Sequence, residues 1–173
     1  MEQLIAHTLS ILRTTPRRWE DLTASVAQDL LRTPPAHGEW SALDCLAHLL
    51  DTEQQVFPVR VQALLDGRDF PAFDPDAQGI VPQGAMDPTA LAEQFSRVRA
   101  ESLVALVPLA VADLTRTARH AELGRVTLAE LLHEWVGHDL MHTVQAERAL
   151  MQPFIHGSGP WKVYFTDHVV VSR

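Results

Sequence analysis

The chain has 173 residues, 46% of them hydrophobic and 21% charged, which supports one globular domain over residues 1–173 and excludes a disordered tail or a solenoid. Acidic residues outnumber basic ones, 22 to 14, giving a formal charge of -8 that argues against a broad phosphate-binding surface and a nucleic-acid partner. One cysteine, Cys45, excludes an internal disulfide framework and any Cys-only zinc site, while nine histidines remain as metal-ligand candidates.

The first residues, Met1 to His7, lack a basic stretch followed by an apolar run. No later segment approaches ~18 uninterrupted apolar residues, so a cytoplasmic protein with no membrane contact is expected. From Glu2 to Arg32, Leu4, Ile5, Leu9, Leu12, Trp19, Leu22, Val26 and Leu30 recur at helical spacing. A break is expected near Thr15-Pro16, where proline can open a new helix. Ser41 with Asp44 makes a box-like cap for a second helix running to about Asp66-Gly67, bent at Pro58.

The stretch Arg68 to Asp87, with Phe70 and Phe73, reads as a long loop of a kind that borders functional sites. Asp87-Pro88 supplies a cap and first-turn proline for a third helix to about Val107. Thr117 to Arg125 reads as a connection, and Thr127 with Glu130 caps a fourth helix to about Met151. Four rods with a long connection between the second and third predict an all-α four-helix bundle, whose core commonly holds metal or cofactor sites. The tail from Gln152 to Arg173 carries Trp161, Tyr164, Phe165 and Val169-Val170-Val171, and is apolar enough to pack, within the chain or across a dimer.

His138 and His142 lie four residues apart on the fourth helix, about 400° of turn, so one imidazole sits above the other. Nine histidines would give roughly half such a pair by chance, so phase carries more than spacing. Leu128, Leu131, Trp135, His138, His142, Gln145 and Ala149 follow alternating steps of three and four, the inward stripe of a bundle helix. Buried imidazoles need partners, which a divalent ion or a hydrogen-bonded core pair would both supply. His133 points about 140° and 180° away from the two and reads as a surface residue or a lid contact. Asp139, off the stripe, reads as a solvated neighbour rather than an orienting carboxylate.

On the second helix, Leu43, Leu46, Leu50, Phe57, Val61 and Leu64 define the apolar arc. His48 projects with Asp44, Asp51 and Gln55, about 170° from the centre of that arc, so periodicity alone makes it a solvated surface residue. Cys45, beside Leu46 with nothing near it in sequence to lower its pKa, reads as inert core. Trp19, Trp40, Trp135 and Trp161 read as core rather than as a stacking platform.

Trp40-Ser41, Ala47-His48-Leu49 with Asp51 and Glu53, Gly124 and Thr127, and His138-Asp139-x-x-His142 followed by Gln145 appear in that order. In this order and spacing the chain resembles, over most of its length, the DinB-like (DinB/YfiT) metal-binding four-helix bundles. These include a bacillithiol S-transferase and are similar to the N-terminal bundles of mycothiol-dependent and ergothioneine-synthesising enzymes. The resemblance implies a three-histidine site at His48, His138 and His142, and resolves the wheel conflict if His48 faces an open cleft at the bundle mouth. It implies one divalent ion, zinc or nickel, with an open position for water or a thiolate. It also implies a homodimer.

The leading expectation is an enzyme whose substrate is a small molecule, a low-molecular-weight thiol transferred to an electrophile, with Asp51, Glu53 or Gln145 as proton or hydrogen-bond partners. Metal-dependent hydrolysis uses the same three ligands. A non-catalytic metal-binding stress protein, and a histidine-paired core without metal, are the alternatives from other classes.

Overall fold

The computed structural model describes residues 2–73 and 87–171. Helix α1 spans Glu2–Ser25 and continues through Pro16, where a break was expected. The proline ring removes the N–H that would bond the Leu12 carbonyl one turn back. That carbonyl accepts instead from Arg99 Nη1 at 3.1 Å, so a side chain from another helix closes the gap. A short α2, Gln28–Arg32, follows.

The second rod comes in two pieces. Helix α3, Ala42–Gln55, starts at a capping box in which Ser41 Oγ accepts from the Asp44 N–H and the Asp44 carboxylate accepts from the Ser41 N–H at 2.8 Å. Pro58 cannot continue the hydrogen-bond ladder, and Val56 (φ -117°, ψ -71°) marks the joint before α4, Phe57–Asp66. Gly67 closes α4 in the left-handed region at φ 68°, a conformation open to glycine without strain.

Helix α5, Pro88–Leu106, begins where the Asp87 side chain accepts from the Ala90 N–H at 3.0 Å. The expected long connection before it falls mostly on residues 74–86, outside the described residues. A 3₁₀ turn, Val111–Thr115, leads to strands β1 (Thr117–His120) and β2 (Gly124–Thr127), which pair antiparallel. This hairpin corrects the reading of Thr117 to Arg125 as a connection. Four-residue strands are too short for alternation to register, and Gly124 at φ 78° serves the turn. Phe70 joins its edge: the Phe70 N–H donates to the Arg119 carbonyl at 3.1 Å and the Ala121 N–H to the Phe70 carbonyl at 3.2 Å.

Helix α6, Leu128–Gly157, opens on the Thr127–Glu130 capping box and runs past Met151 through Pro153. A 3₁₀ segment, Gly159–His168, follows and buries none of its residues. Trp161 and Tyr164 therefore face outward, 66% and 74% exposed, contrary to the intramolecular packing their character invites. What anchors the tail is Gln152, 2% exposed, whose Nε2 donates to the His168 carbonyl at 3.0 Å while its Oε1 accepts from the Val170 N–H at 2.9 Å.

Helix α1 packs on α5 and α6, and α3 packs on the same two, so α1 and α3 sit diagonally across a four-helix bundle. Its core has two clusters. One gathers Leu12, Phe57, Leu64, Phe70, Leu132 and Trp135, the other Trp19, Leu43, Leu46, Leu49, Phe95 and Ala146. Arg99 lies where they meet, its guanidinium 4.9 Å from the Phe95 ring and 5.6 Å from the Trp135 ring. Among the described residues no helix is long and apolar enough to cross a membrane.

Candidate metal centre

The inward stripe of α6 brings His138 and His142 to the bundle interior, and α3 brings His48 across to meet them. One side-chain nitrogen from each of the three lies within 4.8 Å of the others. His48 Nε2 and His138 Nε2 stand 3.0 Å apart. Nitrogens bound tetrahedrally to one ion at about 2.0–2.1 Å sit about 3.3 Å from each other, so the pair is spaced as shared ligands are.

The wheel placed His48 opposite the core because it counted only one side of the helix. The buried arc of α3 also takes in Cys45, Leu49, Thr52 and Glu53. Thr52, one turn on from His48 and about 40° around the helix, forms the edge of that wider arc, and the histidine stands just beyond it. The stripe with Asp51 thus borders a half-open site, not bulk solvent.

Burial holds all three imidazoles neutral, the form that binds metal. It pushes His48 from 6.5 down to about 4, with His142 adding to the effect. His138 falls to about 3 through burial first, then His142, His48, Arg99 and Arg60. His142 is lowered by burial, and Gln145 and Asp139 partly oppose that. Gln145 Oε1 lies 2.8 Å from His142 Nδ1; with the proton on Nδ1 donated to that amide, Nε2 is free to ligate. The Nδ1 of His138 is buried with no hydrogen-bond partner among the described residues, so this ring depends on what Nε2 meets. Three neutral nitrogens, one already oriented by an amide, are a donor set that fits a late first-row divalent ion.

Aromatic rings wall the cluster. Trp40 stacks on His142 at 5.5 Å and tilts against His48 at 4.9 Å, so it serves the site as well as the core. Phe57 meets His138 edge-on at 5.1 Å while stacking on Trp135 at 5.0 Å. The two loop phenylalanines separate: Phe73 lies 6.4 Å from His48, whereas Phe70 is buried in the core. Beside the cluster runs a groove of about 670 Å³, lined by Trp40, Gln145, Met141, Val144, Val169 and Val171 among others.

The three proton or hydrogen-bond candidates part company. Gln145 contacts a histidine directly. Asp51, half-buried one turn beyond His48, accepts from Gln55 Nε2 at 2.7 Å, and burial raises its pKa despite that bond. Glu53 is 1% exposed and ion-paired to Arg99 Nη2 at 2.8 Å, so it belongs to a buried network behind the site. Asp139 belongs there too, which corrects its reading as a solvated neighbour: it is 1% exposed and takes two bonds from Arg99, at 2.7 and 3.0 Å. His133 is exposed, and burial followed by the charge of Asp44 pushes the Cys45 thiol up to about 12, as expected of an inert core residue.

Arg99 is the residue the sequence reading missed. It binds Leu12 of α1, Glu53 of α3 and Asp139 of α6 from its own place on α5, so one guanidinium ties all four bundle helices. Burial alone would lower its pKa; Asp139, then Glu53, hold it above the ordinary value. The signal was present. Leu91, Phe95, Arg99, Ser102 and Leu106 follow the same three-and-four steps as the stripe on α6, with arginine at the centre.

Comparison with known proteins agrees with this architecture. A family model described as the DinB superfamily matches residues 11–146. Among solved structures, YfiT from Bacillus subtilis, described as a probable metal-dependent hydrolase with an unusual four-helix bundle topology, superposes with a TM-score of 0.74 at 19% identity, covering 87% of each chain. A DinB-like protein from the same organism, YjoA, gives a TM-score of 0.55 at 21% identity over 88% of this chain and 92% of that one. No functionally curated protein matches the chain.

Proposed function

Because the chain belongs to the DinB superfamily, we propose that it is a metal-dependent enzyme holding one divalent ion, zinc or nickel, on His48, His138 and His142. The observation that carries this reading is the meeting of three neutral imidazoles from two helices, two of them with Nε2 atoms 3.0 Å apart, at a half-open position. A bound ion supplies Lewis acidity, which acidifies water or a thiol and polarises the bond under attack. Gln145 orients the His142 ring through Nδ1. Two carboxylates stand on the histidine side of α3 outside the arginine network: Asp44, engaged in the Ser41 capping box, and Asp51, whose proton affinity burial has already raised; we assign Asp51 the proton released by the nucleophile. Trp40, Phe57 and Phe73 limit water around the reacting atoms.

Of the two reactions open to this arrangement we favour hydrolysis of a small substrate, a reading supported by the description of YfiT as a probable metal-dependent hydrolase. Thiol transfer, implied by the sequence resemblance, would use the same three nitrogens. Two measurements test the proposal. Elemental analysis of tag-free protein should find about one ion per chain, which His48→Ala, His138→Ala and His142→Ala each remove and His133→Ala retains; full metal in His138→Ala would falsify the assignment. In the cobalt(II) form, a sulfur-to-metal charge-transfer band on adding a small thiol supports thiol transfer. No band with cobalt bound removes thiol transfer and leaves hydrolysis or passive metal binding.

We also propose a homodimer in a reducing, cytoplasmic setting. The exposed Trp161, Val163 and Tyr164 supply the apolar surface for a second copy, and the lone buried thiol suits that compartment. Sedimentation velocity should show a dimer that Trp161→Glu dissociates. A concentration-independent monomer removes this proposal.

A further inference from the structure

Arg60 of α4 and His120 of β1 meet outside the three-histidine cluster. His120 is 7% exposed, and its Nδ1 accepts two backbone N–H bonds, from Glu122 at 3.1 Å and Leu123 at 3.2 Å. A ring nitrogen that accepts carries no proton, so the neutral imidazole has its proton on Nε2. The group facing Nε2 is Arg60 Nη2 at 3.4 Å, and a guanidinium has donors only. Two donors therefore converge, one of them on a ring more than nine-tenths buried, and neither satisfies the other.

The convergence is built rather than incidental. Phe70 meets His120 edge-on at 5.5 Å and 87°, and the Arg60 guanidinium lies 5.4 Å over the same phenyl ring, so one aromatic platform fixes both donors. Among the described residues no carboxylate makes an ion pair with Arg60. Glu134 is near enough to favour its charged form, although burial works the other way. What completes two converging, positively polarised N–H groups is an oxyanion, which accepts from both.

We propose that Arg60 and His120 form an oxyanion-binding subsite for the carboxylate or phosphate end of a small substrate whose other end reacts at the three histidines. The link to the histidines rests on the proposed function; the oxyanion site does not. The two places are tied to each other by short stretches of chain. Phe70 underlies Arg60 and Phe73 lies against His48, so the chain between them, Phe70-Pro71-Ala72-Phe73, separates their Cα atoms by no more than about 11 Å. Arg60 also follows Phe57, which touches His138, by one turn of α4.

The test uses the zinc-loaded full chain, isotope-labelled at histidine, with acetate and inorganic phosphate as separate probes of the two oxyanion classes. The His120 ring nitrogens should shift saturably with at least one of them. Binding should weaken at least tenfold in Arg60→Gln, recover partly in Arg60→Lys, and persist in His138→Ala, which removes the metal site without touching these donors. Far-ultraviolet circular dichroism checks that each variant keeps its helices. The proposal is overturned if His120 is unmoved by either anion, if Arg60→Gln binds as the parent does, or if His138→Ala abolishes the shift. A shift that appears only in Glu134→Gln also overturns it, since Glu134 would then be the internal occupant.

Discussion

A proton and a divalent ion compete for the same nitrogens at His48 and His138, and burial has already turned both against the proton. Their folded-state pKa values, about 4 and about 3, lie below the 6.5 of a solvated imidazole. The unfolded chain therefore binds more protons between those values, and stability falls as pH drops. This contribution is complete above about pH 6.5 and is lost progressively toward pH 4 and below. In the metal-free protein the thermal midpoint should drop over that interval, and His138→Gln should flatten the fall because glutamine does not titrate. Equal slopes for parent and variant would count against the burial argument. Metal occupancy should hold over most of that interval and decline only near pH 4 and below, where the folded His48 and His138 rings take up protons. At this scale the α6 pair was legible because phase and spacing agreed, whereas His48 was not, because its helix is buried on more than its leucine side.

Helices in this bundle are joined by a charge as well as by apolar packing. Arg99 faces two carboxylates, Glu53 and Asp139, in a region where each is about 1% exposed. Desolvating such groups costs several kcal/mol per ion, and only their mutual bonds offset it. Removing the cation alone strands two buried anions. Arg99→Ala should lose about 3–5 kcal/mol in urea unfolding, while Arg99→Met combined with Glu53→Leu and Asp139→Leu should lose markedly less. A triple variant no more stable than the single one would refute the network as the source of the loss. The capping boxes at Ser41 and Thr127, the cap at Asp87 and the joint at Pro58 were all readable from local chemistry. The continuity of α1 through Pro16 was not, because the acceptor's partner sits 87 residues away on another helix.

For the molecule as a whole, periodicity identifies rods but not which rods touch. The all-α bundle followed from the four helical windows; the diagonal placement of α1 and α3, and with it the meeting of all four helices at Arg99, is a tertiary fact that no local pattern encodes. The hairpin escaped for a related reason. Its strands are short, and their stability draws on Phe70, which is distant in sequence.

The anchor at Gln152 has a consequence for how the protein opens. One side-chain amide donates to the His168 carbonyl and accepts from the Val170 N–H, making the pair of bonds that a neighbouring β-strand would make. An attachment of two bonds, each worth about 1 kcal/mol, melts independently of the bundle. Gln152→Ala should therefore raise the rate of native-state trypsin cleavage at Lys162 by roughly tenfold or more, with the thermal midpoint of the bundle little changed; unchanged cleavage would show that the tail is held elsewhere. Since Val169 and Val171 also wall the groove lined by Trp40 and Gln145, the two side chains that contact His142, the same opening widens that groove. Breathing of Val169 to Val171 thus becomes a term in how fast molecules enter and leave that groove.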